Sequence, residues 1–186
     1  MKTLIIPGLD GSPEPHWQHW WASKDPSALV VDQSDWSTPT PEAWEAEVAG
    51  AILRHPGSVL VGHSLGSVLI ARLLTKWPQL QVRAAILVAP AEPSRSVRIA
   101  RFGPVPQRPL GVPAMVVASR NDPWMSFARA RDLAQGWGAG IIDMGHVGHI
   151  NVTSGFGPWP GVIGMRETLL DPVPTSRILQ PMERRA

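Results

Sequence analysis

Short apolar runs recur along this chain, each followed by a longer stretch of mixed polar and helix-forming residues. Residues 3–6, 28–31, 58–61, 84–88, 114–118 and 140–142 are nearly continuous in apolar side chains. Runs this short and this uniform predict strands covered on both faces, since a strand with one wet face would alternate instead. Between them, helical periodicity predicts helices over residues 16–22, 42–54, 67–76 and 124–135, and a last one over 160–170. The second carries its own start signal, with Thr40 as N-cap and Pro41 at the first helical position. Alternation of strand and helix from end to end predicts an α/β domain built on a parallel sheet, with right-handed crossovers and helices on both faces. No internal repeat or linker divides residues 1–186, so one domain is expected.

Two stretches depart from the rhythm. Residues 91–113 contain five prolines and no helical period. A loop of this length inside a compact domain is commonly a functional lid. It follows a strand end, the edge at which open α/β sheets bind ligands. The expectation is a small cap over the site, with an irregular packed connection as the alternative. The tail at 172–186, with Pro172, Pro174, Pro181 and then Glu183-Arg184-Arg185, is expected to be loosely ordered.

Composition narrows the chemistry. A chain of 186 residues, 44% hydrophobic and 17% charged, can bury a sizeable core. The absence of cysteine excludes disulfides, a thiolate nucleophile and thiolate metal sites, and fits a reducing compartment. The apolar start ends within a few residues at Pro7 and Asp10, too soon for a signal peptide or a membrane span. A cytoplasmic protein without membrane association is therefore expected. Net charge is only +2, and the arginines at 95, 98, 101 and 108 lie in no nucleic-acid-binding motif, so no nucleic-acid partner is expected. Nine Trp stand beside three Phe and no Tyr, which points to aromatic core or pocket walls.

The sharpest signal is Gly62-His63-Ser64-Leu65-Gly66, directly after the run 58–61 and directly before the helical stretch 67–76. A G-x-S-x-G on a strand, a sharp turn and a helix is the setting of a nucleophile elbow, which holds the serine hydroxyl above the sheet edge. A serine is a weak nucleophile unless a base takes its proton and an acid orients that base. In this architecture the order along the chain is Ser, acid, His. Asp122 fits as the acid, after the strand 114–118 in Ser119-Arg120-Asn121-Asp122-Pro123, although it could also cap the next helix. Asp143 is the competing acid. His146 and His149 both lie beyond the last strand, and spacing leaves the choice between them open. His16, His19 and His55 come too early in the chain to be the base.

Backbone N–H donors for a developing oxyanion are expected from Leu65, next to the nucleophile, and from Leu9 in the loop after the first strand. These loops face each other if the first strand lies between the second and the third. A pocket including His16, Trp17, Trp124 and Trp159 would suit apolar or aromatic groups. Gly145-His146-x-x-His149 lies on a glycine loop without acidic partners, so neither a metal nor a cofactor is expected.

With those residues go Pro7-Gly8, Ser12-Pro13-Glu14 with His16-Trp17, Phe102-x-Pro104-x-Pro106, and Gly148-His149-Ile150-Asn151 followed by Ser154-Gly155-Phe156-Gly157-Pro158-Trp159. Taken together, the chain resembles the small single-domain α/β-hydrolases grouped with retinoblastoma-binding protein nine and the YdeN-like bacterial serine hydrolases. The resemblance implies a minimal three-layer α/β-hydrolase fold, with six parallel strands in the order 2-1-3-4-5-6. It implies Ser64 as nucleophile, Asp122 as acid and His149, not His146, as base. The activity it implies is cofactor-independent cleavage of a carboxylic ester with a small or medium acyl group, aromatic ones included. A peptidase or thioesterase would use the same machinery, and a protein-binding module with vestigial catalysis would share the scaffold. Two departures stand out: Pro7-Gly8 where many relatives have His-Gly, and Asn121-Asp122 where many have two acids.

Overall fold

The six apolar runs lie side by side in one parallel sheet. In the computed structural model, which describes residues 1–171, the strands are β1 (Thr3–Ile6), β2 (Ala28–Val30), β3 (Ser58–His63), β4 (Val82–Val88), β5 (Ala114–Ala118) and β6 (Gly140–Asp143). Their order is β2-β1-β3-β4-β5-β6, with every neighbouring pair parallel. The tail expected to be loose, 172–186, lies outside the described residues.

Alternate side chains of each strand feed two separate cores. Leu4, Ile6, Leu60, Leu87 and Val116 enter one face, under α2 (Pro41–Arg54), α3 (Leu65–Lys76) and α4 (Phe127–Trp137). Ile5, Val59, Val61, Ile86 and Val117 enter the other, under α1 (Trp17–Lys24) and α5 (Pro160–Leu170). Both layers are apolar, which is why the central strands read as continuous apolar runs rather than alternating ones. The expectation of strands buried on both faces fails at the margins. Val30 of β2 and Ile141 of β6 are exposed, because an edge strand lacks a neighbour on one side and full cover above it.

Helix starts follow their caps. Thr40 Oγ1 accepts the Ala43 N–H at 3.4 Å with Pro41 at the first position. Helix α1 begins at Trp17, one residue later than expected, because His16 is its N-cap. Helix α4 begins at Phe127 rather than 124, because Ser126 caps it through the Arg129 N–H at 3.2 Å.

Residues 91–113 pack as the alternative expectation had it, an irregular connection laid into the core. Ile99, Phe102, Val105 and Leu110 are buried in the core with Trp44, and the chain makes only two short 3-10 turns. The segment is pinned by Arg72, which pairs with buried Glu45 at 2.9 Å and donates to the Phe102 carbonyl at 3.0 Å. Its prolines prevent a helix, and its apolar residues supply the packing that a helix would have given. Among the described residues, no helix is long and apolar enough to cross a membrane.

Candidate active site

The turn from β3 into α3 puts Ser64 at φ 57° and ψ −122°, a conformation that ordinary residues avoid. Two glycines make the turn possible. A Cβ on Gly66 would fall on the Ile6 carbonyl oxygen, and one on Gly62 would lie 2.7 Å from the Ser67 nitrogen. Strand, turn and helix can therefore pack without side chains between their backbones, leaving the Ser64 hydroxyl at the C-terminal edge of the sheet.

Three loops converge there. Ser64 Oγ lies 3.0 Å from His149 Nε2. His149 Nδ1 lies 2.9 and 3.0 Å from the two Asp122 carboxylate oxygens. Both the imidazole and the carboxylate are almost fully buried, at 8% and 4% side-chain exposure, so little water competes for their contact. With Nδ1–H donating to Asp122, Nε2 carries a lone pair and accepts the Ser64 O–H. Asp122 also accepts the Trp124 N–H at 2.8 Å, closing the turn in which it sits. It does not cap α4, which is the task of Ser126.

The two residues left open by spacing lie elsewhere. His146 is exposed. Asp143 pairs with Arg120 at 2.6 Å on the surface and closes a turn on the Gly145 N–H.

The position of His149 is fixed by its neighbours. Its carbonyl accepts from His63 Nε2 at 2.9 Å, and its N–H donates to Ser154 Oγ at 3.0 Å. The next residue, Ile150, is β-branched yet has φ 50°, a strained state. Its carbonyl accepts from Trp17 Nε1 at 2.9 Å. The loops after β5 and β6 are also knitted together. Asn121 Oδ1 accepts the Gly148 N–H at 2.8 Å, and Ser119 Oγ accepts the Val147 N–H at 3.1 Å. Sequence reasoning passed over Ser119, Asn121 and Ser154. Their signal was small polar side chains clustered in loops next to the candidate acid and base.

Opposite Ser64 runs the loop after β1. Among the described residues, neither the Leu9 nor the Leu65 N–H has a hydrogen-bond partner. The Leu9 loop is held from both sides. The Asp10 N–H donates to the Trp36 carbonyl at 3.1 Å, and the Asp10 carboxylate takes Arg98 at 2.6 and 2.9 Å. Arg98 also donates to the Ser37 carbonyl, so the 91–113 segment braces this loop rather than covering the cleft.

The cleft measures about 230 Å³ and is lined by the Gly8–Gly11 stretch, His16, His63, Ser64, Trp124, His149 and Asn151. A larger groove of about 550 Å³ lies at the C-terminal ends of α2 and α3, lined by residues such as Ile52, Leu53, Trp77 and Leu80, and holds no nucleophile or base. The expected aromatic pocket is corrected in two members. Trp17 is fully buried and meets Trp159 edge-on at 5.4 Å under α5, so neither lines the cleft. Trp124 does, with its ring 6.1 Å from that of His149. Among the described residues, no group of three or more His, Cys, Asp or Glu side chains is arranged to hold a metal ion.

Two further histidines line up toward His149, His16 edge-on to His63 and His63 tilted against His149, each at 4.9 Å between ring centroids. Burial, then the charge of a protonated His149, pushes His16 down to about 4 and His63 well below the usual histidine range. An unfolded chain titrates these rings near 6.5, so it binds more protons than the fold as pH falls below that value. Stability is therefore lost on acidification, for His16 over the window from about pH 6.5 down to about 4. Asp25, lowered to about 2 by Ser27, Trp21 and Arg166 against the cost of its burial, adds its loss only below about pH 4. We expect the melting temperature to fall between about pH 7.5 and pH 5, and to fall less in His16→Ser, which keeps an N-cap oxygen. Equal falls in both proteins would contradict this.

A family model described as serine hydrolase matches residues 3–167. No curated protein matches the chain. Among solved structures, a YdeN-like hydrolase of Pectobacterium atrosepticum is 33% identical, with a TM-score of 0.79 over 90% of this chain and 88% of its own. The ydeN gene product of B. subtilis is 24% identical, with a TM-score of 0.75 over 91% and 98%. Est1E of Butyrivibrio proteoclasticus, solved with ferulic acid bound, shares the fold at 12% identity, with a TM-score of 0.69 over 91% and 87%. The six-stranded sheet is that of the α/β-hydrolases.

Proposed function

The chain belongs to the serine hydrolase family, and on that premise we propose that it is an esterase acting on small carboxylic esters through Ser64, His149 and Asp122. The observation that carries the reading is the unbroken line from Ser64 Oγ to His149 Nε2 at 3.0 Å and from His149 Nδ1 to Asp122 at 2.9 Å. Ser64 attacks the acyl carbonyl while His149 takes its proton. Asp122 keeps the imidazole in the tautomer that can accept, and balances its charge once it has accepted. The unpaired N–H groups of Leu9 and Leu65 receive the oxyanion. Collapse of the tetrahedral adduct expels the alkoxide, which takes the proton from His149. Water then repeats the sequence against the acyl-enzyme, releasing the acid and restoring Ser64.

Cleft size supports the substrate class. Sites for drug-sized ligands run from about 300 to 1,000 Å³, and this cleft is about 230 Å³ with Trp124 as one wall. A short acyl chain fits, and a long one has to project into water. On a series of phenyl esters, kcat/KM is expected to peak between acetyl and butyryl and to fall by about tenfold or more by octanoyl. Measured initial rates across the series test this, and a steady rise with chain length would contradict it.

A further inference from the structure

Two side chains in the cleft have hydrogen-bonding capacity that the hydrolytic steps do not use. His16 is 6% exposed and lines the cleft. Its Nδ1 accepts the Gln18 N–H at 3.2 Å, so that nitrogen carries no proton and Nε2 must carry it. Among the described residues Nε2 has no partner, and it is not one of the fully buried polar atoms, so it keeps accessible surface on a residue that lines the cleft. Asn151 stands in the same position chemically. Its Oδ1 accepts from both the N–H and the hydroxyl of Ser154, at 3.1 and 3.0 Å. That fixes the amide so that Nδ2 is left without a partner among the described residues, again with accessible surface on a residue that lines the cleft.

Both groups only donate. The carboxylate among the lining residues, Asp10, is already held by Arg98, which does not itself line the cleft. An incoming carboxylate therefore finds no free positive charge in the cleft lining, and an incoming ammonium finds no free negative one. The group that satisfies the open donors is an uncharged oxygen acceptor.

We propose that His16 Nε2–H and Asn151 Nδ2–H are specificity-determining donors that select small esters bearing a second, uncharged oxygen, a hydroxyl or an ether, on the acyl group. The inference rests on the esterase reading above. His16 stays neutral across the working range because burial and His149 hold it down to about 4, so it adds no positive charge that would draw a carboxylate into the cleft.

Phenyl methoxyacetate and phenyl butyrate test this, because their acyl groups differ only by an ether oxygen in place of a methylene. The ratio of their kcat/KM values is measured for wild type, His16→Ser and Asn151→Asp. Serine keeps an N-cap oxygen for α1, and aspartate keeps the acceptor for Ser154; each variant withdraws the donor. The ratio in favour of methoxyacetate is expected to fall by about three- to tenfold in each variant, the scale of one neutral hydrogen bond, whatever change the two rates share. The greater intrinsic reactivity of the ether-bearing ester is common to all three proteins and cancels. An unchanged ratio with turnover intact would overturn this proposal alone, as would equal losses on both esters, which is what a purely structural role gives. A wild type that hydrolyses neither ester would overturn the esterase reading and this proposal with it.

Discussion

Replacing His149 by alanine is expected to lower turnover of a small ester on the order of 10⁴- to 10⁶-fold, about as much as replacing Ser64, because the two act as one unit. A lone serine hydroxyl keeps its proton near neutral pH, and among the described residues no histidine other than His149 is within hydrogen-bond distance of Ser64 Oγ. His63 is buried and spends Nε2 on the His149 carbonyl, and His146 is exposed. Asp122→Asn is expected to cost about 10⁴-fold with the fold intact, since an amide no longer enforces the accepting tautomer. His146→Ala should stay within about twofold of wild type. Steady-state rates with the melting temperature measured alongside separate these effects from unfolding. A His146→Ala loss as large as that of His149→Ala would reverse the assignment.

The second large effect concerns Trp17, which has no exposed surface and no place in the cleft. Trp17→Ala removes a buried indole packed edge-on against His63 and Trp159, at a cost of about 3–5 kcal/mol. It also strips the donor from the Ile150 carbonyl, which holds a strained residue directly after His149. Stability and turnover are therefore expected to fall together. Trp17→Phe restores much of the packing but not the hydrogen bond, so it should recover most of the melting temperature and less of the rate. Trp124→Ala should shift the balance, raising KM with a smaller loss of melting temperature than Trp17→Ala, since that ring lines the cleft and packs against the core only in part. Calorimetry and kinetics on the three variants decide this, and a Trp17→Ala protein with a wild-type melting temperature would contradict it.

Much of the frame was legible because its signals are local. Apolar runs with almost no polar interruption marked the strands to within a residue or two, and Thr40-Pro41 marked the start of α2. The sharp turn at Ser64 was legible because G-x-S-x-G is a contiguous pattern, with glycines at 62 and 66 where the backbones leave no room for a side chain. What could not be read were consequences of packing between distant segments. Composition shows that tryptophans are many, not which face of a helix each one takes. Trp17 and Trp124 therefore looked alike in the sequence, although one is a strut and the other a wall. The 91–113 segment looked like a cap because it lacks a period. Ile99, Phe102, Val105 and Leu110 enter the core without one, and its arginine at 98 reaches the Asp10 loop 88 residues away in the chain. His146 and His149 were inseparable by spacing, since only the loop's fold turns one inward. The free donors of His16 and Asn151 depend on which of their other atoms are already bonded, which no sequence pattern records.

The most direct measurement is mass-spectrometric detection of fluorophosphonate labelling on wild type, Ser64→Ala, His149→Ala and His146→Ala. A fluorophosphonate reacts with a serine only when a neighbouring base activates it. The expected result is one adduct on Ser64 in wild type and in His146→Ala, and none in the other two. A well-folded wild type that takes no label, or takes it on a residue other than Ser64, would contradict the account.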